Sequence, residues 1–201
     1  MAKRLEFFFD CSSPWTYLAF ERVVPLVRKT AAHLVWRPVL VGGVFNKVNQ
    51  TVYEMRANPV PAKARYAAKD LQDWARLIGV SINWPSVFPV KSVTAMRGCF
   101  HALEHDRLEP YARALFEAYW GADRDISQPE EIAACAIAAG LDPDALLAAA
   151  AGQAAKDALL ANTEELMERG GFGSPTIFID GTDMYFGNDR IELIAAALER
   201  T

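Results

Sequence analysis

The N-terminal segment places the tightest limit on the fold, because it combines a strand, a helix and a strand in close succession. An apolar and aromatic run over residues 5–9 predicts a buried strand. Ser13 then offers an N-cap, and Pro14 fits the first helical position, where its missing N–H breaks no hydrogen bond. A second strand is predicted over residues 33–38. A β-α-β unit of this length indicates two parallel strands joined by a right-handed crossover.

The middle of the chain is predicted to be helical. Residues 42–61 are rich in glycine, asparagine and proline and are interpreted as a loop, whereas residues 62–168 carry helical patterns with almost no strand candidates. Ser127, with a glutamate three residues later, has the spacing of a capping box, and Asp142 precedes a proline suited to a first helical turn. This stretch therefore indicates an all-helical insert.

Strands return near the C-terminus. Residues 176–179 are β-branched and aromatic, residues 184–186 form a second short run, and the Asp-Gly pair at 180–181 is typical of a tight hairpin turn. A last helix follows, with Asn188 or Asp189 as its predicted cap. The sequence thus predicts an α/β chain in the order β-α-β, helical insert, β-β-α.

Composition and charge narrow the functional classes. A formal net charge of −4 provides no extended positive surface, which argues against nucleic acid as the main partner. Glu6 and Asp10 interrupt the N-terminal apolar run, so it fails as a signal-peptide core, and no apolar stretch is long enough to span a bilayer. The three cysteines lie far apart without a CxxC pair and indicate free thiols. We therefore expect a cytoplasmic location and a small-molecule partner.

The order of elements, with a proline opening the third strand, resembles the thioredoxin fold. Active sites of that fold lie at the N-terminus of the first helix, facing a cis-proline, and those positions are here Ser13-Pro14 and Ser174-Pro175. Ser13 stands where disulfide oxidoreductases of this fold carry the first cysteine of their CxxC motif. The sequence therefore excludes dithiol chemistry at this site.

The resemblance divides the chain into two interleaved units. Residues 1–41 and 163–201 would form the thioredoxin-like domain, and residues 42–162 would form the inserted helical domain. Because the shape of the pocket depends on how the insert closes over the site, the sequence alone does not name the physiological substrate.

Three motifs carry a closer resemblance. The segments 10–18 (DCSSPWTYL), 173–176 (GSPT) and 186–190 (FGNDR) are similar to those of 2-hydroxychromene-2-carboxylate isomerases, which are related to kappa-class glutathione transferases. The likeness extends over nearly the whole chain. It implies glutathione as the cofactor, a small aromatic carboxylate as the substrate and a homodimer as the assembly.

Ser13 is the predicted catalytic residue. A helix N-terminus offers unpaired N–H groups and a positive potential that stabilise a nearby thiolate, and the serine hydroxyl adds one donor. Cys11 lies two residues earlier, but the register puts Ser13 at the cap, and the resemblance implies that glutathione supplies the sulfur. The plain alternative is that Ser13 serves only as an N-cap.

The resemblance also implies which residues contact glutathione. They are Ser13, Lys63, Ser174, Pro175, Phe186, Gly187, Asn188 and Asp189. A cis bond before Pro175 would leave the backbone of Ser174 to pair with the cysteinyl residue of glutathione, with no part for the serine side chain. The turn at residues 187–189 suits the charged γ-glutamyl end, although spacing alone favours simple capping there. Lys63 is assigned to the glycyl carboxylate.

For the second substrate, the resemblance points to Lys47, Asn58 and Phe88. Phe88 replaces a tyrosine that is frequent in the family, which keeps an aromatic surface and removes one hydroxyl. Isolated lysines are as often solvated surface residues. His101 and His105 share a helix face, but without the metalloprotease glutamate or a third ligand, so no metal is expected.

The predicted activity is the interconversion of 2-hydroxychromene-2-carboxylate and trans-o-hydroxybenzylidenepyruvate by reversible addition of the glutathione thiolate. One alternative is a kappa-like transferase or peroxidase that acts on other electrophiles. Another is a thioredoxin-like module that binds glutathione without turnover. Asn188, where kappa enzymes tend to carry serine, favours the isomerase.

Overall fold

The computed structural model describes residues 2–200 and contains the predicted β-α-β opening. Strand β1 spans Arg4–Phe9, helix α1 spans Pro14–Thr30 and strand β2 spans His33–Pro38. The helices that follow are α2 Val41–Val48, α3 Thr51–Ala57, α4 Pro61–Ile78, α5 Val93–Glu104, α6 Leu108–Phe116, α7 Pro129–Ala138, α8 Pro143–Ala151 and α9 Gln153–Glu168. The C-terminal elements are β3 Thr176–Ile179, β4 Asp183–Phe186 and α10 Ile191–Glu199.

The strands of the described residues form one mixed sheet in the order β2-β1-β3-β4. β1 pairs in parallel with β2 and antiparallel with β3, and β3 pairs antiparallel with β4. This arrangement confirms the α/β thioredoxin architecture, including its parallel first pair. Between β2 and β3 every regular element of the described chain is a helix. The domain boundaries at residues 41–42 and 162–163 stay a prediction.

The central strand and the first helix form the core beneath the site. Residues 5–9 of β1 are fully buried. On α1, Tyr17 stacks on Phe116 of α6 with ring centroids 5.0 Å apart, and Phe20 meets the same ring at 5.3 Å. Phe20 also lies 5.7 Å from the Trp36 ring of β2, so aromatic packing joins α1 to both α6 and the sheet.

The charged residue Glu6 lies in the buried central strand. The buried Glu6 carboxylate accepts hydrogen bonds from Arg37 Nη2 at 2.9 Å and Arg169 Nη2 at 2.7 Å, and Arg4 Nη2 lies 3.0 Å away. Burial raises the pKa of Glu6, but the hydrogen bonds from Arg169 and Arg37 outweigh burial and hold the pKa below its ordinary value. The network joins β1 to β2 and to the end of α9.

The loop predicted over residues 42–61 is wrong, because α2 and α3 occupy most of it. Glycine and asparagine have low helix propensity, but long-range hydrogen bonds fix the start of α2. The Leu40 N–H donates to Thr163 Oγ1 at 3.0 Å, and the Val41 N–H donates to Asp10 Oδ2 at 2.8 Å. Tertiary contacts therefore override local propensity in this segment.

One of the two caps predicted inside the insert is confirmed. Asp142 Oδ1 accepts from two first-turn N–H groups of α8 at 2.9 and 3.1 Å. The Ser127 cap is wrong, because α7 begins after Gln128 and the Ser127 N–H bonds to Asp125 Oδ1 at 3.0 Å. The side chain of Asp125 thus accepts a backbone N–H just ahead of α7 and holds this segment in a non-helical turn.

The cap predicted for the last helix is also wrong. α10 begins only at Ile191, after a 3₁₀ turn over residues 188–190. The Asp189 carboxylate lies 2.6 Å from Arg190 Nη1 instead of on a helix N–H group.

Among the helices of residues 2–200, none has both the length and the apolar character needed to cross a bilayer.

Candidate active site

The N-terminus of α1 and the peptide bond ahead of β3 face each other. Ser13 is the N-cap of α1, and its Oγ accepts a hydrogen bond from the Thr16 N–H at 3.3 Å. The same hydroxyl donates to the backbone carbonyl of Ser174 at 3.2 Å. The Ser174–Pro175 peptide bond is cis. The two segments that the thioredoxin resemblance paired are therefore in direct contact.

The side chain of Ser174 takes part in this contact, contrary to the expectation that it has no role. Its buried hydroxyl accepts from the Asp10 N–H at 3.1 Å and lies 2.8 Å from the Thr16 hydroxyl. It thus joins the end of β1, the first turn of α1 and the approach to β3. The sequence held no signal for this role, since these partners are 164 and 158 residues away along the chain.

The first turn of α1 is suited to hold an anion. The Trp15 N–H has no hydrogen-bond acceptor among the described residues, and Pro14 has no N–H. The Ser13 hydroxyl lies in the same turn, at the positive end of a 17-residue helix. One free amide and one hydroxyl at a helix N-terminus suit a negatively charged atom such as a thiolate sulfur.

Asp10 forms part of the same site and was not predicted from the sequence. Its fully buried carboxylate accepts from the Ser12 N–H at 2.9 Å through Oδ1 and from the Val41 N–H at 2.8 Å through Oδ2. Burial raises the pKa of Asp10 in spite of these bonds. Its position directly after a buried strand was the signal in the sequence, because ligands bind at the carboxyl ends of such strands.

Cys11 does not compete with Ser13 as a nucleophile. Burial raises the pKa of its thiol well above the ordinary value, and only the thiolate is nucleophilic. Cys11, Cys99 and Cys135 are all buried free thiols, as their spacing predicted. The register that puts Ser13 at the helix cap is confirmed.

A cavity of about 1500 Å³ opens beside Ser13. Its floor is the turn after β1 together with Gly173 and Ser174, one wall comes from α2, α3 and α4, and another from residues 82–94. Ligand pockets usually measure about 300–1,000 Å³, so this one has room for two small molecules together. Apolar side chains of its walls include Phe45, Val52, Met55, Leu71, Trp84 and Phe88.

The structure brings four of the predicted site residues to this cavity. Ser13, Ser174, Phe88 and Phe186 all line it. The Phe88 ring lies 4.6 Å from the Trp84 ring, so the aromatic surface predicted at this position is present. Pro175 lies behind Ser174, buried and outside the lining.

Three predicted side chains are exposed and lie outside the cavity lining. Lys47 is in the last turn of α2, Asn58 caps the C-terminus of α3, and Lys63 is in the first turn of α4. The structure does not bring them next to Ser13. Their assignments to the second substrate and to glutathione stay predictions.

The turn at residues 187–189 also lies outside the lining, but it holds an unpaired donor. Asn188 is 4% exposed, and its Nδ2 has no hydrogen-bond partner among residues 2–200. Its backbone carbonyl accepts from Arg22 Nη1 at 2.9 Å. The Asn188 side chain therefore has a buried amide donor without a partner among the described residues, whereas exposed Asp189 is paired with its neighbour Arg190. The predicted contact of these residues with glutathione stays a prediction.

Two cationic residues on the cavity wall were not predicted. Arg56 lies near the end of α3, and Lys91 follows the Phe88–Pro89 peptide bond, which is cis. Neither residue stood out in the sequence, because residues 42–61 were interpreted as a loop and an isolated cation usually belongs to the solvated surface.

A third potential metal ligand accompanies His101 and His105, contrary to the sequence interpretation. The ligand atoms of His101, Glu104 and His105 lie within 4.8 Å of one another at the C-terminal end of α5. All three residues lie outside the cavity lining. The cluster is therefore separate from the candidate active site.

Comparison with known proteins agrees with this geometry. The family model of the DSBA-like thioredoxin domain matches residues 4–199. A 2-hydroxychromene-2-carboxylate isomerase from Sphingobium xenophagum is 28% identical over 198 residues, which cover 98% of this chain and 99% of that protein. Glutathione S-transferase kappa 1 from Homo sapiens is 30% identical over 213 residues, covering 98% of this chain and 92% of the human protein.

A solved structure of a 2-hydroxychromene-2-carboxylate isomerase has a TM-score of 0.81 and 26% identity, and covers 97% of this chain and 94% of that one. The matches include both sides of the contact between Ser13 and Ser174 and the helices around the cavity. The chain belongs to the DSBA-like thioredoxin domain family and is related within it to isomerases and glutathione transferases.

Proposed function

We propose that the protein is a glutathione-dependent isomerase that interconverts 2-hydroxychromene-2-carboxylate and trans-o-hydroxybenzylidenepyruvate. The observation that carries the proposal is the Ser13 hydroxyl at the N-terminus of α1, 3.2 Å from the carbonyl of Ser174, on the floor of a cavity with room for two small molecules. The relative from Sphingobium xenophagum is named as an isomerase of this substrate, and the relative from Homo sapiens is named as a glutathione transferase. The first name supports the proposed reaction, and the second supports the use of glutathione.

The residues of the site fit glutathione. The Ser13 hydroxyl and the free Trp15 N–H suit its sulfur, and the unpaired Nδ2 of buried Asn188 suits an oxygen of its γ-glutamyl carboxylate. When bound, glutathione supplies a thiol that adds reversibly to an unsaturated acid and so allows rotation about a former double bond. The chain itself has no cysteine at this position, which is consistent with a borrowed sulfur.

The contribution of Ser13 is to stabilise negative charge. Rotation about its Cβ–Oγ bond re-aims the hydroxyl proton from the Ser174 carbonyl into the cavity, while the Thr16 N–H holds the oxygen in place. Each unit by which the pKa of a bound thiol falls corresponds to about 1.4 kcal/mol of thiolate stabilisation, which is what one charge-assisted hydrogen bond supplies.

The walls of the cavity contribute orientation and exclude water. Trp84 and Phe88 offer flat apolar surfaces to an aromatic substrate, with ring centroids 4.6 Å apart. A kappa-like transferase acting on other electrophiles is the second candidate, because the human kappa relative is 30% identical and the match covers 98% of this chain. We also propose that the protein forms a homodimer. Analytical ultracentrifugation of the full chain measures its oligomeric state.

Ultraviolet spectroscopy of 2-hydroxychromene-2-carboxylate with the enzyme, with and without glutathione, tests the proposal. We expect conversion only when glutathione is present. Turnover of an aryl halide or hydroperoxide without isomerisation would favour the transferase, and glutathione binding with no turnover of either kind would identify a binding module.

The variant Ser13→Ala tests the mechanism. Loss of one preorganised donor at developing charge costs about 10²–10³-fold in kcat, and we expect this loss with little change in glutathione affinity. Ser81→Ala is the matched control, since Ser81 is exposed and lies outside the cavity lining. Equal turnover in the two variants would remove Ser13 from the mechanism.

A further inference from the structure

Arg56 holds its guanidinium between two aromatic rings of the cavity wall. Its Cζ atom lies 5.6 Å from the ring centroid of Phe45 on α2 and 5.2 Å from that of Phe88. Both distances are within the range of cation–π contacts. The two rings lie beside the guanidinium, and within residues 2–200 its N–H groups make no side-chain hydrogen bond or ion pair.

No carboxylate neutralises this cation. Among residues 2–200, no aspartate or glutamate lies within ion-pair distance of Arg56, whereas Arg37, Arg113 and Arg169 are each paired with a glutamate. A guanidinium presents two parallel N–H donors that match the two oxygens of a carboxylate. Arg56 therefore lines a mostly apolar cavity with an unused carboxylate-binding edge.

Two rows of contacts connect Arg56 with the floor of the cavity. On one side, Phe45 Cε1 would lie 3.6 Å from a Cβ atom at Gly173, the residue before Ser174. Phe45 therefore packs beside the segment whose carbonyl accepts the Ser13 hydrogen bond. Arg56 thus sits one aromatic ring away from the predicted catalytic contact.

On the other side, the row runs through three aromatic rings. The Phe88 ring lies 4.6 Å from Trp84 and 6.3 Å from Trp120, and Trp120 Nε1 donates to the Cys11 carbonyl at 2.9 Å. Cys11 is two residues before Ser13. This row of contacts therefore links the Phe88 side of Arg56 to the turn that carries Ser13.

We propose that Arg56 binds the carboxylate of the second substrate and that Phe45 and Phe88 fix the guanidinium for that purpose. The inference rests on the proposed function for the identity of that substrate, an aromatic carboxylic acid. The family resemblance gave Lys47 a contact with the second substrate, but Lys47 lies outside the cavity lining, whereas Arg56 is part of it; both residues are exposed. Lys91 also lines the cavity, but no aromatic ring stacks on it within residues 2–200.

Binding of a non-reacting pair of probes tests the inference. Titration calorimetry with naphthalene-2-carboxylate and naphthalene-2-carboxamide, at saturating glutathione and again without it, measures the preference of the full chain for the acid. We expect the acid to bind about ten- to hundredfold more tightly than the amide, which is the range for one charge-assisted pair. In Arg56→Met the ratio should fall close to one, and Arg56→Lys should keep part of it.

Three further variants serve as comparisons. The preference for the acid should be kept in Lys91→Met, Lys47→Met and Arg65→Met. Arg65→Met is the matched control, because Arg65 is an exposed arginine on α4 outside the cavity lining. A full preference in Arg56→Met, its loss in Lys91→Met or Lys47→Met, or its absence from the unaltered protein would each overturn the inference.

Kinetics separate this inference from the proposed function. If the enzyme isomerises trans-o-hydroxybenzylidenepyruvate, Arg56→Met should raise KM by about tenfold or more with a smaller change in kcat, because the carboxylate of the substrate does not react. If no isomerisation occurs but the acid preference disappears in Arg56→Met, the proposed reaction fails and the carboxylate site stands. If isomerisation occurs with the acid preference intact in Arg56→Met, only the inference fails.

Discussion

The floor of the cavity and its α3–α4 wall are built in opposite ways. On the floor, Asp10 and Thr16 are fully buried and Ser174 is 7% exposed. The side chains of Asp10 and Ser174 each have two hydrogen-bond partners, and the Thr16 hydroxyl is bonded to Ser174. On the wall, α3 has no buried residue at all, and residues 61–69 of α4 are all exposed. The groups that would carry the chemistry are thus rigidly held, while those that meet the substrate have few packing contacts.

The contrast between a buried floor and an exposed wall indicates how one fold can keep its reaction while its substrate changes. Changes on the floor disturb buried hydrogen bonds and the packing of β1, so they cost stability. Substitutions in α3 disturb little packing, because none of its residues is buried. They should therefore change stability by less than about 0.5 kcal/mol, as surface substitutions usually do. Elements with few buried contacts also open locally at low free energy, which suits a wall that admits a bulky molecule.

A large loss of stability is expected when the ion-pair network around the central strand is disrupted. Glu6→Gln removes the charge that faces Arg37 and Arg169 and leaves these two partly buried guanidinium groups with Glu165 as their one shared carboxylate partner among residues 2–200. Breaking a buried ion pair costs about 3–5 kcal/mol, and partial exposure of these arginines places the loss at about 2–4 kcal/mol. Urea denaturation measures it, with the exposed Glu168→Gln as a control that should change stability by less than about 0.5 kcal/mol.

The pH dependence of the same variant identifies the cause. Because the folded-state pKa of Glu6 lies below its ordinary value of 4.5, its contribution to stability is full above that pH and is lost as the pH falls through the folded-state pKa. The difference between the wild type and Glu6→Gln should therefore be largest near neutral pH and shrink in acid. A constant difference across this range would mean that shape, not charge, matters at Glu6.

Asp10→Asn should have a smaller effect with the opposite pH dependence. An asparagine accepts only one of the two hydrogen bonds from Ser12 and Val41, so one buried N–H is left unpaired at a cost of about 1–3 kcal/mol. The folded-state pKa of Asp10 lies above its ordinary value of 3.8, so its contribution is full below that pH and is lost as the pH rises through the folded-state pKa. Denaturation at several pH values should show a deficit that is largest in acid.

Matching pH profiles for Glu6→Gln and Asp10→Asn would contradict the contrast between these two buried acids. Glu6 is surrounded by guanidinium groups, whereas Asp10 receives only neutral donors. Burial raises the pKa of both groups, but the charged donors around Glu6 outweigh it, whereas the neutral donors around Asp10 do not.

The thioredoxin-like part was predictable because its signals are local. The apolar run at residues 5–9, the cap at Ser13 and the Asp-Gly turn at 180–181 each specify backbone structure within a few residues, and the strands and α1 lie where these signals placed them. The motif at residues 173–176 located the other half of the site through resemblance, and the contact between Ser13 and Ser174 is present.

The helical wall was not predictable for the opposite reason. α2 begins at Val41 because of hydrogen bonds to Asp10 and Thr163, and those partners are 31 and 123 residues away from the residues they bind. Arg56 gains its place only once α2 and α3 have formed and bring it over Phe45 and Phe88. No short sequence pattern contains this information about Arg56, whereas Phe88 was predicted through the family resemblance and lines the cavity.

The smallest effect on stability is expected on the α3 wall itself. Met55 lines the cavity and is 62% exposed, so Met55→Ala should change the free energy of unfolding by less than about 0.5 kcal/mol, whereas Leu18→Ala in the buried face of α1 should cost about 2–5 kcal/mol. Met55→Ala removes apolar surface from the wall, so KM for the aromatic substrate should rise a few fold with kcat unchanged. A loss of stability comparable to that of Leu18→Ala would show that the wall is packed as firmly as the floor, and the contrast between them would fail.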